Sequence, residues 1–144
     1  MANKKNESIA MDIVNSCQKI DRNIAIKGVR TLCRHFGGCI LYIPKKKKNG
    51  KTITEMYKVL YEAVGDHNAN IIMDKVIALF GSYPVYIPVE KRAFQDEIAV
   101  EIYLRAGEDG SVSEIGRYYG LCFTAAYKLW KKGQRIKLNR EKEK

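Results

Sequence analysis

Apolar residues recur along this chain at intervals of three and four, broken at spaced points by glycine and proline. That pattern predicts a mostly α fold of seven helices and two short strands. A first helix over about Ser8 to Lys19 places Ile9, Ile13, Cys17 and Ile20 on one face. A second, about Asn23 to Phe36, buries Ile26, Val29, Leu32, Cys33 and Phe36, and Gly37-Gly38 stops it. CILYI (39–43) follows as a strand closed by Pro44. Thr52 is the expected cap of a third helix with Ile53, Met56, Tyr57, Leu60 and Val64 as its stripe, ended by Gly65. A fourth, about Ala69 to Phe80, buries Ile72, Val76, Ile77 and Phe80. A fifth, about Glu90 to Ala106, presents Phe94, Ile98, Ile102 and Leu104.

The chain also repeats itself. FGGCILYIP (36–44) and FGSYPVYIP (80–88) agree at Phe, Gly, Tyr, Ile and Pro with an offset of 44 residues. Aromatic–glycine helix ends occur at Phe36-Gly37, Phe80-Gly81 and Tyr119-Gly120. Two copies are too few for a solenoid, so a duplicated helix–turn–strand unit whose strands pair is the expectation. Pro84 lacks an N–H, which places it on an edge or at a bulge.

From Val112 to Lys132, VSEIGRYYGLCFTAAYKLWKK has the spacing of a helix-turn-helix. Ser111 or Ser113 caps its first helix. Ile115, Tyr119, Leu121, Ala126 and Leu129 fall where two packed helices need apolar groups. Gly116 falls where the second helix crosses closest, and Gly120 at a turn that needs φ > 0. The second helix then carries Cys122, Phe123, Thr124, Tyr127, Lys128 and Lys131 on its outer face, with Lys132 and Arg135 beside the DNA backbone. Trp130 is expected to pack against the fifth helix.

Charge sharpens this reading. The net +10 is uneven: residues 115–144 carry nine Lys/Arg against two Glu, whereas residues 90–114 carry three basic and seven acidic groups. KKKKNGK (45–51) adds a second basic block, and its Lys45, Lys46, Lys47 and Lys48 are candidate phosphate contacts beside the strands. The same loop also reads as a plain turn built on Asn49-Gly50.

Four cysteines (Cys17, Cys33, Cys39, Cys122) form no CxxC pair, and His35 and His67 supply no clustered metal set. Reduced thiols, mostly buried, are the expectation. His67 follows Asp66, but no nucleophile, metal cluster or phosphate cradle stands at mechanistic spacing, so the chain is not expected to be an enzyme or to hold a cofactor. No apolar run reaches membrane-spanning length and no signal-peptide pattern opens the chain, so a cytoplasmic protein without membrane contact is expected.

GGxxxYIPK at 37–45, and GSxxxYIP at 81–88 followed by a helix and a helix-turn-helix, resembles the Mor/C family of phage transcription activators. The resemblance covers about 80–133. It implies a homodimer whose YIP strands pair across the two-fold, with one helix-turn-helix from each subunit entering double-stranded DNA. Members of that family activate phage promoters by helping RNA polymerase bind, which makes polymerase a candidate partner. This chain carries two strand motifs, has Ser82 for the second glycine and has Pro84 inside its second strand. Strand pairing within one chain and between chains both remain open.

The resulting expectation is a mostly α protein in three parts. Residues 1–89 form a helical, β-ribbon dimerisation region with the internal repeat, 90–134 a three-helix helix-turn-helix domain, and 135–144 a basic tail. Its function would be transcription regulation by a dimer on an inverted repeat, the reading helices about 34 Å apart in successive major grooves. The alternatives are a helical protein-interaction module and a sequence-independent nucleic-acid binder.

Overall fold

The computed structural model describes residues 2–46 and 50–143. Among them are eight helices and one two-stranded antiparallel sheet, in the order α1 (Ala2–Ser16), α2 (Arg22–Phe36), β1 (Ile40–Ile43), α3 (Lys51–Val64), α4 (Asp66–Phe80), β2 (Tyr83–Tyr86), α5 (Glu90–Ala93), α6 (Gln95–Arg105), α7 (Val112–Tyr118) and α8 (Phe123–Lys142). None of the described helices is long and apolar enough to cross a membrane. The chain divides into two compact units, 1–93 and 94–144.

In the first unit, α1 to α4 enclose Val29, Ile43, Met56, Leu60, Ile72 and Met73, all at most 1% exposed. Asp21 caps α2 by accepting a hydrogen bond from the Asn23 amide at 2.8 Å. Arg30 and Arg34 on α2 reach Glu90 on α5 at 2.8 and 2.9 Å. Burial alone would raise the Glu90 carboxyl, but the hydrogen bonds from Arg34 and Arg30 hold it below the ordinary carboxylate range.

The repeat seen in the sequence is a repeat of structure. Helices α2 and α4 begin and end at positions 44 residues apart, and their buried residues correspond: Ala25 with Ala69, Gly28 with Ile72, Val29 with Met73, Leu32 with Val76. In the sheet, Leu41 lies opposite Val85, its own counterpart. Two hydrogen bonds repeat the relation, Gly38 N–H to Ile87 O at 2.8 Å and Ser82 N–H to Ile43 O at 2.7 Å. Equivalent strands that cross antiparallel at equivalent residues define a local two-fold axis. A Cβ built on Gly28 would overlap Ile72, again its counterpart, so the helices too meet about that axis.

The strands therefore pair within one chain, not across a dimer as the resemblance implies. Duplication supplies both partners covalently. Pro84 is accommodated without a bulge. The Ile87 amide bonds the Cys39 carbonyl, and hydrogen-bonded and non-bonded pairs alternate from there, so Tyr42–Pro84 is a non-bonded pair that needs no N–H.

Several boundaries differ from those expected. Helix α1 ends at Ser16, whose hydroxyl turns back to the Asp12 carbonyl at 2.7 Å, and Ile20 lies beyond it. Gly50, in extended backbone, caps α3, leaving Thr52 inside the first turn. Helix α4 starts at Asp66, with Gly65 alone separating it from α3. The expected fifth helix is two, because Phe94 leaves helical backbone between α5 and α6. Leu104 is exposed. Finally, α8 runs to Lys142, so residues expected as a separate basic tail continue the helix. Lys, Arg, Glu and Leu are all good helix formers, which carries it through.

Candidate nucleic-acid interface

The second unit is built on one small core: Ile98, Ala99 and Ile102 of α6, Ile115 of α7 and Leu129 of α8, with Val112, Tyr119, Leu121 and Trp130 packed around them. Each element has a local cause. Ser111 starts α7 through a capping box: its side chain accepts from the Glu114 amide, and the Glu114 carboxylate accepts from the Ser111 amide. The helix ends in a Schellman motif. Gly120 adopts φ +72°, its amide bonds the Arg117 carbonyl at 2.9 Å, and the Leu121 amide bonds the Gly116 carbonyl at 2.9 Å.

The two helices joined by this turn touch where the sequence placed a glycine. A Cβ on Gly116 would overlap the Ala126 side chain, so α7 and α8 approach as closely as backbone permits. Tyr119 in the turn donates a hydrogen bond to Glu101 of α6 at 2.7 Å. Burial, then the Glu101 bond, pushes its hydroxyl up to about 12, against the opposing pull of Arg105. Helix α8 thus has its inward face fixed by Ala126, Leu129 and Gly133, all buried.

Its other face is open. Phe123, Tyr127, Lys131, Thr124, Arg135 and Lys128 fall within a sector of about 140° on an ideal helix, and all six are exposed. Cys122, the N-cap residue, is also exposed and makes no side-chain cap, so the first-turn amides of α8 have no side-chain acceptor. The rings of Phe123 and Tyr127 stack at 6.0 Å and 18°, and those of Tyr127 and Trp130 at 5.8 Å and 14°. The Lys131 ammonium lies 4.9 Å over the Tyr127 ring.

Lys132 differs from its neighbours. It is half-buried, its ammonium 2.9 Å from Asp96 and 2.8 Å from Gln95, both on α6. It borders an open cleft with Lys128, Trp130 and Arg135. Lys45 and Lys46 are exposed after β1, in the other unit. Lys47 and Lys48 lie outside the described residues.

Trp130 packs on Tyr103 of α6, ring centres 5.8 Å apart, as expected. Three further features support the unit without standing out in the sequence. The Tyr119–Glu101 bond and the Asp96–Lys132 pair join residues 18 and 36 positions apart with no local signature. Gly133 did leave a signal, a glycine inside an otherwise strong helix-forming run. A Cβ there would overlap the Ala99 carbonyl oxygen, so it sets how closely α8 can lie on α6.

Among the described residues no group of three or more potential metal ligands occurs. Comparison with known protein families, with characterised proteins and with solved structures returns no match.

Proposed function

We propose that this chain is a sequence-specific DNA-binding transcription regulator that reads duplex through α8. One observation carries the reading. A helix held on its inner side by α6 and α7 turns an open, basic and aromatic outer face to solvent, starting at an N-terminus whose amides have no side-chain cap. A major groove admits such a helix, with lysine and arginine reaching phosphates and guanine edges and an N-terminus favouring phosphate.

Among the described residues each chain carries one such helix, so each chain reads one half-site, and an inverted repeat takes two chains. Activation of phage promoters with RNA polymerase as partner rests on the YIP-motif resemblance alone.

A second reading has an observation of its own: Ile40, Tyr42 and Tyr86 lie exposed on the outer face of the sheet, with Tyr83 exposed at its end, as a protein-interaction module would have. Titrating a random duplex library at two salt concentrations separates the two. DNA reading is expected to enrich one sequence and to give a log–log salt slope of about −0.9 per neutralised phosphate. Absence of duplex binding at low salt would refute it.

A further inference from the structure

Among the exposed residues of α8 from Cys122 to Arg135 there is no amide or carboxylate side chain. They offer two aromatic rings, a thiol, the hydroxyls of Thr124 and Tyr127, and cations. Asn and Gln, which select adenine by paired hydrogen bonds, and Asp and Glu, which accept from cytosine, are missing among them. Gln134 shares the sector of Phe123 and Tyr127 on an ideal helix, but it lies about three turns beyond Phe123, where it is half-buried and borders the cleft beside Lys132.

The aromatic part has a definite shape. Phe123 is 60% exposed and Tyr127 41% exposed, and their rings are nearly parallel one helical turn apart. Tyr127 is backed by Trp130, which is itself braced on Tyr103. The rings are thus held in place from behind while their forward edges stay open. Lys128, Lys131 and Arg135 lie in the same sector, so the apolar strip is bordered by cations that would bring it against phosphates. That charge complementarity identifies the occupant as nucleic acid. In the major groove the one apolar group on a base edge is the C5 methyl of thymine.

We infer that Phe123 and Tyr127 read the C5 methyl groups of consecutive thymines, making α8 selective for a 5-methylpyrimidine step. The inference rests on the DNA-reading proposal and names the base chemistry of that site. Phe123 at the start of the helix meets one methyl, Tyr127 one turn on meets the next, and Thr124 and Lys128 contact the flanking edges.

Thymine-to-uracil replacement removes only that methyl and keeps every hydrogen-bonding group. The duplex enriched by selection is therefore resynthesised with uracil at each thymine in turn, and its affinity measured by fluorescence anisotropy. Burying one methyl is equivalent to about a fourfold change in affinity, so about a fourfold weakening is expected at one or two adjacent positions and none elsewhere. In Phe123→Ala the thymine-over-uracil preference at one of these positions is expected to vanish. Phe123 is mostly exposed, so this variant keeps the fold, with circular dichroism as the check, and Phe123→Leu should restore part of the preference.

Duplex binding with the same affinity for uracil and thymine at every position would overturn the inference while leaving the DNA reading intact. Absence of binding to any duplex would overturn both. If Phe123→Ala instead changed self-association and left the thymine preference unaltered, the strip would belong to a second copy of the chain and the inference would fall.

Discussion

An ammonium is available to a phosphate only when nothing already holds it, and on α8 this separates Lys132 from its neighbours. The sequence sets Lys132 and Arg135 together beside the DNA backbone, whereas Asp96 and Gln95 hold the Lys132 ammonium. Arg135→Ala is therefore expected to reduce the magnitude of the log–log salt slope by about 0.9, one phosphate contact. Lys132→Ala should leave the slope within error of the parent. Equal changes in both variants, measured over the same salt range, would show that the Asp96 pair opens on binding. Tyr119 supports a second expectation. A tyrosine in the unfolded chain loses its proton near pH 10, while the folded chain holds this one to about 12. Between those values the folded state binds more protons, so rising pH destabilises it. The contribution is complete below pH 10 and lost by about pH 12. In urea titrations the stability difference between parent and Tyr119→Phe should be constant below pH 10 and shrink above it. A difference that stays flat to pH 12 would remove Glu101 and burial as the cause.

At the scale of elements, much of the fold is legible because local chemistry decides it. Ser111 and Glu114 form the capping box, Gly120 takes the left-handed turn, and Ile115 and Leu129 enter the core as their spacing requires. What is not legible depends on competition between neighbours. Thr52 is a good cap, but Gly50 two residues earlier is already extended and takes the position. The break at Phe94 has no glycine or proline to announce it. On α8, the charged run reads as a separate tail although the same side chains favour helix. The Gly38 and Ser82 turns carry the sharpest consequence of the repeat. They adopt φ +87° and +77°, so the second copy holds a serine where the backbone suits glycine. Left-handed backbone costs a side chain about 1–2 kcal/mol, and glycine gives back about 0.5–1 kcal/mol in unfolded-state entropy. Ser82→Gly is accordingly expected to stabilise the first unit by about 0.5–1 kcal/mol in chemical denaturation. A loss of stability would mean that the serine hydroxyl contributes more than the strain removes.

At the scale of the molecule, the repeat decides how chains relate to one another. A single YIP strand has an unpaired edge and needs another strand, which in a one-motif protein must come from a second subunit. Here β1 and β2 meet that need within one chain: Leu41 faces its counterpart Val85, and the Gly38–Ile87 and Ser82–Ile43 hydrogen bonds close both ends. The internal two-fold takes the place that a dimer axis would occupy, while α6 to α8 occur only once among the described residues. A protein with a symmetric ribbon and a single reading helix has no ribbon-driven reason to bind as a preformed dimer. Sedimentation is therefore expected to give the mass of one chain, 16.5 kDa, at micromolar concentration. Titration onto an inverted repeat should show two chains binding independently, each with the affinity measured on an isolated half-site duplex. Preformed dimers would instead give twice the mass and a sharp loss of affinity on the half-site, since the second helix would then have nothing to hold. That result would transfer dimerisation to another surface, with the exposed Ile40, Tyr42 and Tyr86 face of the sheet as the first to mutate. Under independent binding, replacing those three residues by polar ones should leave half-site affinity unchanged, because the side of the sheet that enters the core is formed by Ile43, Val85 and Ile87.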